Sequence, residues 1–210
     1  MLIRHRDAEP DVDESAYIAP TAVLVGRVVV GPRARVMYGA VIDAEGSQVE
    51  IGECTVVCEN AVLRATAEGD TDRPVVIGDH VFVGPHATLL GCTVERCCYI
   101  ATGATVLQGA AIGTGGVVAV GALVHARTVV PEEFFVPPNT IAVGDPIRVF
   151  GPEEKEALAE AIRGVGFAKA AFSVDMDWED RVTRYERATE VRSAEFGAHA
   201  TDQILSDGRA

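Results

Sequence analysis

The side chains of this sequence that could hold a metal ion or move a proton are scattered along it. His80 and His86 lie in the stretch Ile77-Gly-Asp-His-Val-Phe-Val-Gly-Pro-His-Ala-Thr-Leu-Leu-Gly-Cys-Thr-Val94, with Cys58 upstream and His125 downstream. Neutral imidazole and thiolate both ligate zinc, but zinc sites read from sequence show paired ligands at short, fixed spacings. None of these residues has such a partner, so each reads first as a structural residue. The acids Asp43, Glu45 and Glu59 and the cation Arg64 offer other chemistry. A guanidinium grips a polar or anionic group through its fork of donors, and a nearby carboxylate or imidazole can take or give a proton. Whether any of these groups meet depends on the elements that carry them.

Those elements follow from a six-residue ladder of aliphatic residues. Its rungs are Ile18, Leu24, Val30, Val36 and Ile42; Ile51, Val57 and Leu63; Ile77, Val83 and Leu89; then Val94, Ile100, Val106, Ile112, Val118, Val124, Val130 and Val136. Four residues after most rungs stands something small, among them Ala34, Ala40, Ala61, Ala87, Ala104, Ala110 and Ala122. A period of six fits neither a helix nor a simple alternation, so it belongs to a larger repeating unit. The spacing predicts an all-β solenoid, a parallel β-helix of hexapeptide repeats. Each hexad supplies one short strand, three hexads close a triangular coil, and the coils stack at strand spacing with the rungs facing a shared core. The small residue fits the tight interior corner, where a larger one would overpack. A sandwich or barrel would instead show turn signals every 8 to 12 residues without a fixed phase.

The expected organisation is a polar lead-in over residues 1–17, the β-helix over 18–150 and a helical extension over 151–210. Two interruptions, Asp43 to Glu50 and Arg64 to Val76, break the phase; insertions must leave such a column at a corner, and the second reads as an exposed polar loop. Past the column, residues 152–163 read as a helix opened by Pro152 and acids and stopped at Gly164. A second is predicted from about Met176 to Phe196, with Trp178, Val182, Tyr185 and Val191 along one stripe. The last dozen residues read as frayed.

A net charge of −13 argues against nucleic acid and anionic membranes as partners, since both select clustered Lys and Arg. The charged opening Arg4-His-Arg-Asp7 carries no apolar core of a secretory leader, and nothing approaches an apolar membrane span. Five cysteines, an odd number including adjacent Cys97 and Cys98, do not form a disulfide framework. A reducing cytoplasm is the expected location.

The stretch from Ile77 to Val94, with the loop before it, the five-residue step from Leu89 to Val94 and the later Val143-Gly-Asp-Pro-Ile147, resembles the γ-class carbonic anhydrase-like branch of the hexapeptide-repeat proteins over about residues 17 to 150. The resemblance implies a left-handed β-helix and a homotrimer. It also implies a zinc-type ion held by three histidines between subunits, whose open coordination position lowers the pKa of bound water. Carried over by position, those three ligands fall on Arg64, Pro85 and Leu90, none of which can ligate zinc. The family's supporting Arg-Gly-Asp and Asn-x-Gln-Asp runs correspond to Asp43-Ala44-Glu45 and Val56-Val57-Cys58-Glu59.

No zinc and no carbonate dehydratase activity are therefore expected. A ligand displaced to His86 would face the other way on an alternating strand unless Pro85 made a bulge, and Cys58 and His80 lack ligand spacing. The expected role is that of a structural or assembly subunit, or of a repurposed enzyme of the subunit-interface cleft. In the latter, Arg64, Asp43 and Cys58 would bind a small polar ligand and His86, Glu59 and Glu45 would do acid–base work; the bland alternative is a solvated salt-bridge cluster. The competing function is that of a CoA-dependent acyltransferase, the other activity hosted by hexapeptide columns, with His125 or His86 as base and acetyl-CoA as cofactor. Against it, no loop interrupts the coils from Val94 to Val136 to build an acceptor pocket.

Overall fold

A computed structural model describes residues 1–68, 71–174 and 180–206. The column is a triangular prism of short parallel strands, three faces wide. One face carries ten strands, of which the eight central ones are parallel, and each of the others carries seven. The ladder predicts the register directly. On the first face Leu24, Ile42, Leu63, Leu89, Val106 and Val124 pair in succession. On the second the run is Val30, Ile51, Ile77, Val94, Ile112 and Val130. The third stacks Ile18, Val36, Val57, Val83, Ile100, Val118 and Val136.

Every rung after Ile18 is buried, and so are the small residues at the corners, Thr55, Cys98 and Thr128 included. Thr55 shows why a hydroxyl is tolerated inside: its Oγ1 donates to the Gly78 carbonyl at 2.7 Å and accepts from the Val81 amide at 3.0 Å. Corner residues often take the left-handed backbone conformation. His80 and His86 do so, at φ of 56° and 59°, a conformation in which histidine is several-fold enriched among non-glycine residues. Their placement is thus accounted for by the turn itself.

The column reaches further at both ends than the ladder. Leu2–Arg4 pairs parallel with Val23–Val25, and Asp11–Val12 with Val28–Val30, so the lead-in forms the first coil. The second interruption is a β-hairpin of Thr66–Glu68 and Thr71–Arg73. After Ile141–Val143 the chain reverses into Arg148–Phe150 and leaves as helices Lys155–Val165, Phe167–Phe172 and Arg181–Phe196. The first helix runs through Gly164 and stops at Gly166, which takes the left-handed C-cap conformation at φ 64°. In the last, Asp180 caps the N-terminus by accepting from the Thr183 amide.

The apolar stripe predicted on this last helix does not mark its buried face. Val182 and Tyr185 are exposed, while Arg184, Ala188 and Glu195 are buried, because this helix packs on charged groups of the column and on Phe167–Phe172. Trp178 lies outside the described residues. Over its described part the tail is ordered as well: a 3-10 turn, Gly197–Thr201, leads into Gln203–Ser206, which pairs antiparallel with Leu2–Arg4, while residues 207–210 lie outside the described residues. The two ends of the chain therefore close one face together.

Candidate functional site

Three neighbouring strands of the ten-stranded face, Val41–Asp43, Val62–Arg64 and Thr88–Leu90, end at one corner of the prism. Their last residues, Asp43, Arg64 and Leu90, are in register. Since Ile42, Leu63 and Leu89 point into the core, alternation turns these three the other way. Asp43 is only 4% exposed and Glu45 3%. Asp43 Oδ1 accepts the Glu45 amide at 3.0 Å, which pins the turn, and Glu45 sits in the left-handed region at φ 48°. Arg64 stands between the two acids, with Nη2 3.5 Å from Asp43 Oδ2 and Nε 3.9 Å from Glu45 Oε1, and its guanidinium lies over the Phe196 ring at 5.1 Å.

The rest of this pocket comes from the two ends of the chain. His199 Nε2 is 3.4 Å from Glu45 Oε2 and 3.9 Å from Asp43 Oδ2. Its ring stacks on His5 with centroids 4.3 Å apart, and Asp202 bridges the pair: Oδ1 lies 2.6 Å from His5 Nδ1 and Oδ2 lies 2.8 Å from His199 Nδ1. Arg6 Nε donates to His5 Nε2 at 3.1 Å, and its Nη2 reaches the Glu195 carbonyl at 3.3 Å. Neither carboxylate oxygen of Glu45 has a hydrogen-bond partner, and neither has Arg64 Nε.

The electrostatics follow from that crowding. Burial first, then the charges of Asp43 and Glu195, push the Glu45 carboxyl above the usual range, with His199 opposing. For His199 burial works against the charged form, but Asp202, Asp43 and Glu45 outweigh it and raise its pKa. Burial also acts against ionised Asp202, yet its bonds to His199 and His5 hold it low. Two buried acids, two imidazoles and two guanidiniums in one pocket can exchange a proton or surround a cation.

The sequence-predicted set divides between two corners. Asp43, Glu45 and Arg64 come together as described. Cys58, Glu59 and His86 sit at the opposite end of the same strands, where the His86 amide donates to the Glu59 carbonyl at 3.0 Å and the Cys58 amide to the Val83 carbonyl at 2.9 Å. Burial raises the Cys58 thiol above its ordinary range, so it stays protonated and a poor ligand. Pro85 belongs to this second corner, away from Arg64 and Leu90. A guanidinium, an isobutyl group and a pyrrolidine ring offer no lone pair, so the three-histidine ion does not fit these residues.

His125 lies further up the first corner, 6% exposed, with its ring 5.4 Å from Phe167 and Nδ1 lacking a hydrogen bond. Burial lowers its pKa. Beside it a cleft of about 410 Å³ is lined by Ala126, Arg127, Gly144, Pro146, Arg148 and Val165. Sequence reasoning missed His5, His199 and Asp202 as site residues. No local spacing links positions nearly two hundred residues apart; only the pairing of the terminal strands brings them together.

No protein-family model matches the chain. Among curated proteins it is 40% identical over 112 residues to gamma carbonic anhydrase 3, mitochondrial, of Arabidopsis thaliana, covering 50% of this chain and 43% of that protein. It is 35% identical over 88 residues to gamma carbonic anhydrase-like 1, mitochondrial, of the same plant, covering 41% and 35%. The match thus spans less than half the length of these relatives. Among solved structures, a hexapeptide transferase family protein from Anaplasma phagocytophilum aligns over 94% of this chain and 97% of its own, with a TM-score of 0.60 at 22% identity, which is likeness of fold. The relatives of this chain are gamma carbonic anhydrases and gamma carbonic anhydrase-like proteins, and its fold is the left-handed β-helix of hexapeptide repeats.

Proposed function

We propose that this chain is a carbonic anhydrase-like column that has lost the three-histidine zinc site, associates as a homotrimer in the cytoplasm and works as a structural or assembly subunit, not as a hydratase. The observation that carries this reading is the state of Arg64. At the position of the family's first histidine, a guanidinium stands within ion-pair distance of Asp43 and Glu45, with the Phe196 ring of the chain's own last helix against it. Beside it in register stands Leu90. Association has its own support: Phe82 and Tyr99 are exposed on neighbouring strands of one seven-stranded face and stacked at 5.4 Å, and Phe135 is exposed two strands beyond Tyr99. Flat, ring-bearing faces of this kind are covered by further copies in a closed symmetric assembly.

In such a trimer, a groove between copies would set the Glu59 and His86 corner of one chain against the Arg64 corner of the next. A small polar ligand bound by Arg64, Asp43 and Cys58 would then meet His86, Glu59 and Glu45 as proton carriers. Carbon dioxide hydration measured on zinc-supplemented protein, together with light-scattering mass, tests the main reading. The expected result is a rate equal to the buffer rate and a mass of three chains. Hydration proportional to protein concentration overturns the loss of activity, and a single-chain mass overturns the trimer.

Acyl transfer is the second reading, favoured by the cleft beside His125. Acetyl-CoA binding to the native state would raise the melting temperature by mass action. No shift at concentrations far above typical cofactor affinity counts against it.

A further inference from the structure

We propose that His5, Glu45 and His199 form a binding site for a borderline divalent cation of the Zn²⁺ and Co²⁺ class, built within one chain. The three residues each offer one donor atom, and these atoms all lie within 4.8 Å of one another. Zinc–nitrogen and zinc–carboxylate bonds of about 2.0–2.2 Å require cis donors on the order of 3–3.5 Å apart, so the set must close by roughly an ångström. Because the rings are stacked, His5 and His199 must also tilt out of the stack for both in-plane lone pairs to meet at one ion.

The orientation of the imidazoles is the specific argument. Asp202 receives Nδ1 of both rings, one on each oxygen. A carboxylate behind a metal-bound histidine fixes the tautomer, turns the other nitrogen toward the ion and raises its basicity. Here one carboxylate does this for two stacked rings. That His5 Nε2 carries a lone pair follows independently, because Arg6 Nε donates to it.

Glu45 supplies the second line of evidence. It is 3% exposed, and neither oxygen makes a hydrogen bond, although His199 Nε2 stands 3.4 Å and Arg64 Nε 3.9 Å away as ion-pair partners. A buried carboxylate left unsatisfied is costly, and a bound cation removes that cost. Asp43 Oδ2, 3.9 Å from His199 Nε2, is placed to complete the shell. Two imidazoles and a carboxylate suit zinc, cobalt, nickel or iron rather than calcium or magnesium, which take oxygen ligands. Two guanidiniums compete with the ion: Arg6 holds His5 Nε2 and must withdraw, and Arg64 lies near Glu45 Oε1. None of the residues at Arg64, Pro85 and Leu90 takes part, and the inference holds whether or not the protein hydrates carbon dioxide.

The test is titration of chelator-stripped full-length protein with Co²⁺, read by visible d–d absorption, and with Zn²⁺, read by competition with a chromophoric chelator. One ion per chain is expected. His199→Ala and Glu45→Gln should each weaken binding at least thirtyfold, and Asp202→Asn about 10- to 100-fold, the range for a carboxylate behind a ligating histidine. Arg6→Ala should tighten it, a gain that misfolding cannot imitate. Metal-free circular dichroism and cooperative melting establish that each variant folds. The proposal is overturned by absence of stoichiometric binding at micromolar free ion, by equal affinity in folded His199→Ala, Glu45→Gln and wild type, or by binding that depends instead on Cys58, His80 or His86.

Discussion

Replacing Arg64 by Met isolates what its charge does, because Met keeps an apolar stem against Phe196. Coulomb's law at an effective dielectric constant of about 20 assigns about 4–5 kcal/mol to each contact, one at 3.5 Å to Asp43 and one at 3.9 Å to Glu45. That sum overstates the loss. The Arg64 side chain is 34% exposed, so water screens it, and His199 also faces both acids. Removing one partner of a buried pair nevertheless leaves buried charge uncompensated, which costs about 3–5 kcal/mol when no other cation is near. With His199 in place, about 2–3 kcal/mol is expected, or roughly 4–12 °C in melting temperature for a chain of this length. Urea unfolding followed by far-UV circular dichroism, in EDTA at fixed protein concentration, measures it. Adding Glu45→Gln to Arg64→Met should return at least about 1 kcal/mol, since neighbouring charges are not additive. A loss below about 0.5 kcal/mol, or strict additivity of the two changes, would show that Arg64 does not hold the acid pair and would refute the reasoning.

Leu63→Ala, on a fully buried rung between Ile42 and Leu89, should cost about 3 kcal/mol by denaturant unfolding, and a cost under about 1 kcal/mol would contradict a packed prism. Thiol labelling of native protein should find exposed Cys97 first, while Cys92, fully buried and pushed up to about 12, reacts only on unfolding. Buried His125 has a folded pKa below its ordinary value of about 6.5, so between the two the unfolded chain binds the proton and the native chain does not. Stability should therefore decline as pH falls through about 6.5, and His125→Leu should remove that part of the decline, as read by melting temperature against pH.

The solenoid was legible because a repeat writes the same physical demand many times. Leu24, Ile42, Leu63 and Leu89 each had to be aliphatic to stack, and Ala61 and Ala87 had to be small to turn, so period alone predicts face and register. Asp43, Glu45 and Arg64 share a corner for the same reason: each stands at a set distance from a rung. Cys58, Glu59 and His86 have equally regular places, and periodicity separates them from that corner by the length of a strand. The helical tail was less legible. Val182 and Tyr185 stand on one apolar stripe by spacing, but both are exposed, and the residues this helix buries are Arg184, Ala188 and Glu195.

What the amino-acid order determined by itself is everything local to the hexad: the prism, its stacking and the positions occupied by Arg64, Pro85 and Leu90. What only the tertiary structure decided is the meeting of His5 with His199 and Asp202 above Glu45. That contact depends on the C-terminal segment returning along the column to pair with Leu2–Arg4, a long-range closure with no period to announce it. It rests on strand pairing, ring stacking and ion pairs between the N-terminal and C-terminal segments, contacts between residues nearly two hundred positions apart that no local spacing encodes.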